Sequence, residues 1–353
     1  MNELEQLIAI MEQFQKEQQQ MKNDINSMYD AIKNCLVMQK NNTADMNERI
    51  LPALKLMIDG LGNNLKYEIT DYMNHNTNMF FPKIESHEVT INNIIHEGKS
   101  LARFGDGEFS IILGFNRWSF QHYNKRLSER LLQVLQSNND KLMIAIANNY
   151  GDLSQYTAES KSEIRAYMTD ETRIKHEKLL NRNKIYHDAY ITRWYMMMND
   201  KETNQPHIRL SNLKKIWNNR NVITVEGEFT RLGVGNDLFD NAASFRRIIA
   251  PGTDSFCKYD EILNACLSYG SNNDLFLIAI GPSSGVLAYD LSQHNYQAID
   301  VGHIDLEYMW YLADAKTRIS IPSRYNNEVD PDVIPEPVQD KEYFNQIIWK
   351  YTD

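Results

Sequence analysis

The first 80 residues carry apolar side chains at alternating spacings of three and four positions, which is the a/d pattern of a coiled coil. Gln18 fills one slot, and the pattern lapses over residues 39–45 before it resumes at Ile50, so a long coiled coil and a helical hairpin both fit. A polar helix with so narrow an apolar seam is not stable in isolation. We therefore predict an N-terminal α-helical coiled-coil segment that forms a homo-oligomer, with packing on the rest of the chain as the alternative. The seam contains Leu4, Leu7, Met11, Phe14, Met21, Ile25, Met28, Ile32 and Cys35.

From residue 81 onward, short β-rich runs alternate with amphipathic helical patterns. This alternation predicts an α/β fold, with a mostly parallel sheet and helices on both of its faces. Ligands of such sheets bind beyond the carboxyl ends of the strands, so chemistry is expected just after each strand. Strands are predicted at residues 100–104, 142–147, 189–192, 222–226, 247–250, 275–280 and 297–301, and helices at residues 125–136, 260–268, 284–293 and 306–313.

The composition argues against some classes of function. With 353 residues, 42% of them hydrophobic, the chain can bury one large core and carry an extra element. A net charge of −10 argues against a nucleic-acid partner, because phosphate binding needs clustered Lys and Arg. We find no signal-peptide pattern, no apolar run that could span a bilayer, and no metal-ligand spacing among the three cysteines. These features predict a cytoplasmic protein without a transmembrane segment, and peripheral attachment to the inner membrane face is an alternative.

A pair of carboxylates follows the first predicted strand of this second part. Residues 103–108 read Arg-Phe-Gly-Asp-Gly-Glu. At a strand end, Asp106 and Glu108 can both turn toward one hard cation, and such a cation could neutralise a diphosphate. Gly105 lets the backbone approach a ligand closely, and Arg103 is a candidate for ligand contact or for pairing with a carboxylate. Taken alone, the Asp-Gly-Glu turn also fits an ordinary hairpin.

A second candidate loop reads Gly-Pro-Ser-Ser-Gly at residues 281–285 and joins a predicted strand to a predicted helix. Backbone N–H groups and the helix dipole favour an anion at such a junction. We therefore predict that Gly281, Ser283, Ser284 and Gly285 hold phosphate. The loop lacks the Lys of a Walker loop and the third glycine of a dinucleotide fingerprint, and an ordinary tight turn is the alternative.

A third glycine-bearing stretch follows the predicted strand at residues 222–226. Arg231 can grip a phosphate with its planar guanidinium. Gly233 and Gly235 permit close backbone approach, and Asn236 completes this predicted binding set. A structural alternative is that the next residue, an aspartate, only caps a helix.

Three titratable side chains follow the last predicted strand. His303 is predicted as a metal ligand, because imidazole and carboxylate together suit Mn²⁺. It is equally a candidate general base held by Asp305. Asp305 or Glu307 is the candidate base for an acceptor hydroxyl, and capping of the helix at residue 306 is the structural alternative for Asp305.

Further candidates come from other strand ends and from the C-terminal part. Arg193 follows the run at residues 189–192 and is a candidate for phosphate or acceptor contact. Residues 148–152 offer amides that can bind hydroxyl groups, or form only a loop. An acceptor groove is predicted from Arg318, Arg324, Tyr325 and Glu328.

Taken together, these segments resemble the bacterial glycosyltransferases of the GT-D fold, known from glycosylation of serine-rich adhesins and from surface polysaccharide loci. The resemblance covers roughly residues 85–350 and rests on four motifs in the same order. The motifs are residues 103–108, 233–239, 281–285 and 300–305.

The resemblance implies a Rossmann-like catalytic domain at residues 81–353, a nucleotide-sugar donor that is commonly a UDP-hexose, and a divalent metal held by an Asp-x-Glu motif. Asp106 and Glu108 match that motif residue for residue. Residues 1–80 lie outside the resemblance and inherit nothing from it.

We therefore expect a metal-dependent glycosyltransferase that uses Mn²⁺ or Mg²⁺ and acts on a glycan or glycoprotein acceptor. The metal would stabilise the leaving nucleotide as charge develops on it. Two other functions stay open. One is a metal-dependent hydrolase of nucleotides or sugar phosphates, and the other is a non-catalytic coiled-coil scaffold with a nucleotide-binding domain.

Overall fold

Nine strands form a single sheet in the part of the chain that the computed structural model describes, and every pair of neighbouring strands is parallel. The described residues are 80–115, 121–326, 328–329 and 333–352. The chain divides into two units, Met1–Lys66 and Tyr67–Asp353. The predicted coiled coil lies outside the described residues, so both it and the boundary near residue 80 stay predictions.

The sheet order is β1-β4-β3-β2-β8-β7-β5-β6-β9. The strands are β1 (Lys83–Glu85), β2 (Ser100–Phe104), β3 (Leu142–Ile146), β4 (Ile185–Asp188), β5 (Asn221–Gly227), β6 (Ser244–Ala250), β7 (Asp274–Ala279), β8 (Gln297–Asp300) and β9 (Ile347–Lys350).

Ten α-helices and two short 3₁₀ turns connect the strands within the described residues. The helices are α1 (His87–His96), α2 (Asp106–Ile112), α3 (Lys125–Leu135), α4 (Ala158–Tyr167), α5 (Asp170–Leu179), α6 (Gln205–Lys214), α7 (Tyr259–Tyr269), α8 (Ser283–Gln293), α9 (Ile304–Leu312) and α10 (Lys341–Gln346), and the 3₁₀ turns are Ala189–Thr192 and Ser255–Lys258. Side-chain oxygens cap several N-termini: Asn124 begins α3, Thr157 begins α4 and Thr169 begins α5. No described helix is both long enough and apolar enough to cross a bilayer.

Both faces of the sheet are covered. Along β7, Phe276 and Ile278 belong to one apolar core, whereas Leu275 and Leu277 belong to the core on the opposite face. Successive strand residues point to opposite faces, so a strand that is apolar at every position must be buried on both sides. The predicted α/β class and parallel sheet with helices on both faces are therefore confirmed.

Six of the seven predicted strands and all four predicted helices are present at nearly the predicted positions. The strand predicted at residues 189–192 is wrong, because the strand ends at Asp188 and Ala189–Thr192 forms a 3₁₀ turn. Asp188 causes the turn: its carboxylate accepts a hydrogen bond from the N–H of Tyr190 at 2.8 Å. A local side-chain cap of this kind competes with extension of the strand.

The chain reverses its winding direction between β2 and β8. After β2 it proceeds to β3 and β4 on one side, whereas after β8 it crosses to β9 at the opposite edge. β2 and β8 are hydrogen-bonded neighbours through Leu101 and Ile299. Loops that leave in opposite directions open a crevice at the carboxyl ends of these two strands.

Candidate active site

A cavity of about 620 Å³ lies at that crevice. Its walls include residues 105–108 after β2, Ala147 and Asn149 after β3, Gly281 and Pro282 after β7, and residues 302–303 after β8. The strand-end prediction is thus confirmed for loops that are 20 or more residues apart in the chain.

Asp106 and Glu108 both line this cavity from the first turn of α2. Asp106 is exposed. The Oε2 atom of Glu108 turns back and accepts a hydrogen bond from the N–H of Gly105 at 2.7 Å, which caps the helix. Burial raises the pKa of Glu108 to about 7, and the carboxylates of Asp300 and Asp106 act in the same direction. The two predicted metal ligands therefore lie together at the cavity wall, close to Asp300.

Arg103 lies behind this centre and holds Asp300. Its Nη2 atom donates to Oδ1 of Asp300 at 2.9 Å, its Nε atom donates to the Asp300 carbonyl at 2.9 Å, and its Nη1 atom donates to the carbonyl of Ala189 at 3.2 Å. The guanidinium therefore ties β2, β8 and the turn after β4 together. Gly302 has a φ of +45°. Because it has no Cβ, Nη2 of Arg103 can occupy the position where a side chain would begin.

His303 occupies another part of the wall, within a cluster of charges. Its Nδ1 atom lies 3.0 Å from Oε1 of Glu328 and 3.1 Å from Nη2 of Arg193. Arg193 also pairs with Glu328, and Arg318 pairs with both Glu328 and Glu163. All five side chains line the cavity.

Asp305 is buried and accepts three hydrogen bonds. Its Oδ1 atom accepts from the N–H of Gly233 at 2.7 Å and from Nδ2 of Asn236 at 2.9 Å, and its Oδ2 atom accepts from Nε of Arg324 at 2.6 Å. This carboxylate joins the β5 loop to α9 and the C-terminal segment. The arrangement favours a structural role over the predicted role of general base.

Glu307 is also buried. Its Oε2 atom accepts from the N–H groups of Tyr195 and Met196 at 3.1 and 2.8 Å. Burial raises its pKa, although the Arg193 guanidinium opposes this. Among the described residues, Glu307 is not part of the cavity wall, which again favours a structural role.

The loop at residues 281–285 faces the cavity only through Gly281 and Pro282. Ser283 and Ser284 are fully buried, and the hydroxyl oxygen of Ser284 accepts from the N–H of Ile280 at 2.9 Å. Gly285 packs against β2, where a Cβ atom would meet Cβ of Ala102 at 3.6 Å. The serines therefore shape the turn, and the N-terminus of α8 lies beside the cavity wall.

The predicted phosphate-binding residues after β5 lie elsewhere. Arg231 is buried and donates from Nη1 to the carbonyl of Ser323 at 3.0 Å. Gly233, Gly235 and Asn236 line a second cavity of about 830 Å³, bordered by β6 and α10. Arg193, Arg103 and Gly105 line the first cavity instead. The predicted binding residues therefore do not form a single site.

Tyr190 and Glu163 are among the cavity residues that were not predicted. Tyr190 donates from its hydroxyl to Oδ1 of Asn149 at 2.7 Å, and both line the cavity. Tyr190 was missed because residues 189–192 were predicted as a strand, whereas the strand ends at Asp188. Glu163 lies within α4 and pairs with Arg318 through two hydrogen bonds of 2.6 and 2.8 Å. No sequence signal marks a single glutamate on a helix face as part of a site.

A buried histidine packs against α2. The ring of His176 stacks on Phe109 of α2 with centroids 3.9 Å apart. Its Nδ1 atom lies 2.7 Å from the hydroxyl of Tyr150, and its Nε2 atom lies 3.1 Å from the hydroxyl of Tyr167. Burial lowers the pKa of His176 to about 4. The imidazole is therefore neutral in the folded protein at pH 7.

We expect His176 to make the folded state less stable as the pH falls from about 6.5 to about 4, because over that range the unfolded chain binds a proton that the folded chain excludes. Its contribution is a slope of up to about 1.4 kcal/mol per pH unit. Glu108 acts in the opposite direction, since its raised pKa favours the folded state at low pH. The measurement is therefore the difference between urea unfolding of the wild type and of His176→Gln from pH 4.5 to 7.5, and parallel curves would contradict the expectation.

The sequence is similar to those of known glycosyltransferases. Residues 101–329 match the family described as "Glycosyltransferase GT-D fold". The "Probable glycosyl transferase Gly" of Streptococcus gordonii is 33% identical over 256 residues, which are 72% of this chain and 37% of that protein. "Glycosyltransferase GlyD" of Streptococcus pneumoniae serotype 4 is 32% identical over 75% of this chain and 32% of that protein. The chain thus spans about a third of the length of these curated relatives.

Solved structures agree with these matches. One, described as "The highly conserved domain of unknown function 1792 has a distinct glycosyltransferase fold", has a TM-score of 0.72 at 31% identity and covers 76% of this chain and 95% of its own. Another, described as a new glycosyltransferase from Streptococcus sanguinis, has a TM-score of 0.73 at 30% identity and covers 77% of this chain and 100% of its own.

Proposed function

The chain belongs to the family of glycosyltransferases with the GT-D fold, and on that basis we propose that it transfers a hexose from a nucleotide sugar to a glycan or glycoprotein acceptor in a metal-dependent reaction. UDP-hexose is the donor that we propose, with Mn²⁺ or Mg²⁺ as the metal. One observation carries the proposal: Asp106 and Glu108 face the cavity at the switch point of the sheet. A volume of about 620 Å³ suits a ligand of this size.

The cavity fits a divalent cation on electrostatic grounds. Burial is the main reason that the pKa of Glu108 is raised, and repulsion from the carboxylates of Asp300 and Asp106 acts in the same direction. A bound cation would relieve that repulsion. No group of three or more His, Cys, Asp or Glu side chains in the described residues is placed to hold a metal by itself. Substrate phosphate oxygens and water would therefore complete the coordination of a metal held by Asp106 and Glu108, as is usual for Mg²⁺.

The chain's own residues would position the donor. The N-terminus of α8 lies beside Gly281 and Pro282 in the wall, where the helix dipole favours a diphosphate. Arg103 keeps Asp300 paired and in place. A bound metal would stabilise the charge that develops on the departing nucleotide. We do not assign His303 to the metal, because the guanidinium of Arg193 lies 3.1 Å from its Nδ1 atom and would repel a second cation.

Asp106→Ala tests the metal assignment. We expect the affinity for UDP in the presence of Mn²⁺ to fall at least about tenfold, since a charged ligand oxygen is lost, while the weaker metal-free binding of UDP changes little. Isothermal titration calorimetry with and without Mn²⁺ measures both. Asp260→Ala is the control, because it removes an exposed carboxylate that pairs with Arg126 outside the cavity wall. Unchanged Mn²⁺-dependent binding in Asp106→Ala would sink the assignment.

Release of UDP from UDP-glucose distinguishes transfer from hydrolysis. We expect release to accelerate when a panel of p-nitrophenyl hexosides and N-acetylhexosaminides is added as acceptors, with a glycosylated product visible by mass spectrometry. Release at the same rate with and without every acceptor would support the hydrolase instead. Homo-oligomer formation through residues 1–80 stays a separate prediction.

A further inference from the structure

The charged cluster of His303, Glu328, Arg193 and Arg318 has no part in metal or diphosphate binding as proposed above. It nevertheless lines the same cavity. His303 immediately precedes α9, Arg193 follows the 3₁₀ turn after β4, and Glu328 and Arg318 belong to the C-terminal segment. Three separate parts of the chain thus place these groups together.

The hydrogen positions in the cluster follow from its geometry. Oε1 of Glu328 lies 3.0 Å from Nδ1 of His303, and Arg193 contacts both groups. If Arg193 donated to Nδ1, the lone pairs of Nδ1 and of the carboxylate would face each other at 3.0 Å. With the proton on Nδ1, both His303 and Arg193 donate to the carboxylate and no lone pairs oppose. The second arrangement is favoured, and it leaves Nε2 as the unprotonated ring nitrogen.

Glu328 is held in the state that this arrangement needs. Burial alone would raise its pKa, but the Arg193 guanidinium and the hydrogen bond from His303 hold it well below its usual range. Arg318 adds a second cation, with Nε 3.1 Å from Oε2 of Glu328. The carboxylate is therefore ionised and accepts hydrogen bonds only.

The free nitrogen of His303 has access to substrate. The side chain is 33% exposed, and the structure gives Nε2 no protein partner among the described residues. By contrast, both oxygens of Asp305 are occupied by Gly233, Asn236 and Arg324. Of the three residues predicted as catalytic, only His303 offers an unoccupied acceptor atom at the cavity wall.

We propose that Nε2 of His303 accepts the proton of the acceptor hydroxyl during transfer, and that Glu328 is the positioning residue that fixes the ring and its tautomer. The inference rests on the proposed glycosyltransferase function. In the step, the acceptor oxygen bonds to the anomeric carbon while the bond from that carbon to the diphosphate oxygen breaks. The electron pair of that bond leaves with the nucleoside diphosphate, and the hydroxyl proton moves to Nε2.

Two substitutions test the pair. His303→Ala should lower kcat for transfer from UDP-glucose to a p-nitrophenyl hexoside by roughly 10²- to 10⁴-fold, and added imidazole should restore part of the rate. Glu328→Ala should lower kcat by about a hundredfold, because Oε1 of Glu328 is the acceptor that both Arg193 and Nδ1 of His303 use. Without this acceptor, Arg193 can donate to Nδ1, which would move the ring proton to Nε2 and remove the base. The KM for UDP-glucose and the calorimetric affinity for UDP with Mn²⁺ should stay close to wild type.

Asp200→Ala is the matched control. Asp200 is also a partly buried carboxylate with two hydrogen bonds from an arginine, Arg209, but it is not part of the cavity wall. We expect this control substitution to lower the free energy of unfolding by a similar amount without lowering kcat. A folded Glu328→Ala protein with wild-type kcat would overturn the role of Glu328, and a His303→Ala protein whose only defect is weaker UDP–Mn²⁺ binding would overturn the role of His303. Failure of the wild type to transfer from any nucleotide sugar would instead refute the proposed function.

Discussion

Asp305→Ala is expected to lower the free energy of unfolding by about 3–5 kcal/mol, the cost of breaking a buried ion pair from one side. The substitution leaves Arg324, which is itself buried, without its carboxylate partner. It also removes the acceptor for the N–H of Gly233 and for the amide of Asn236. Urea unfolding monitored by circular dichroism gives the difference. Asp240→Ala, at an exposed aspartate on the same loop, should change stability by only about 0.5 kcal/mol.

The isosteric variant Asp305→Asn separates the structural role from the catalytic role predicted from the sequence. Its amide oxygen can still accept from Gly233, but its N–H₂ group would face Nε of Arg324, so this protein should also be destabilised. A general base has a different signature. If Asp305→Asn unfolded like the wild type and had lost transfer, Asp305 would be the base and the assignment to His303 would fail.

The position of the site followed from the sequence because it depends on a rule of topology. Residues 103–108, 281–285 and 300–305 each follow a strand of a parallel sheet, and parallel strands bring their carboxyl ends to one edge. Apolar runs such as the one in β7 identify such strands from their composition alone. Local patterns therefore sufficed for the sheet class and for the loops that meet at the crevice.

The roles of individual side chains depend on partners that are distant in the sequence. Asp305 is 72 residues from Gly233 and 69 residues from Asn236, and its hydrogen bonds to both turn the β5 loop toward the interior. Arg231 is likewise committed to the carbonyl of Ser323, 92 residues away. Such pairings decide whether a polar residue binds a ligand or stabilises the fold, and no local spacing encodes them.

The same limit explains why Glu328 was predicted only as part of an acceptor groove. Its significance comes from His303 and Arg193, which lie 25 and 135 residues away. Conversely, the predicted possibility that Arg103 pairs with a carboxylate is confirmed by its hydrogen bonds to Asp300. Here the sequence suggested the kind of interaction, and the fold identified the partner.

Gly302→Ala is expected to disrupt this pair. The added methyl group would overlap Nη2 of Arg103, which hydrogen bonds hold in place, and alanine is strained at a φ of +45°. Displacement of Arg103 would leave Asp300 buried without its counter-charge, beside Asp106 and Glu108. We expect a loss of about 3 kcal/mol or more in the free energy of unfolding, together with weaker Mn²⁺-dependent binding of UDP.

A double-mutant cycle with Arg103→Ala identifies the cause of that loss. Once the guanidinium is absent, Gly302→Ala should cost only the backbone strain of about 1–2 kcal/mol, so the two substitutions should be strongly non-additive. Gly151→Ala is the matched control, because its φ is not positive and a Cβ there meets no atom within 4 Å. If Gly302→Ala costs the same with and without Arg103, the overlap does not determine its effect, and the glycine is needed only for its backbone conformation.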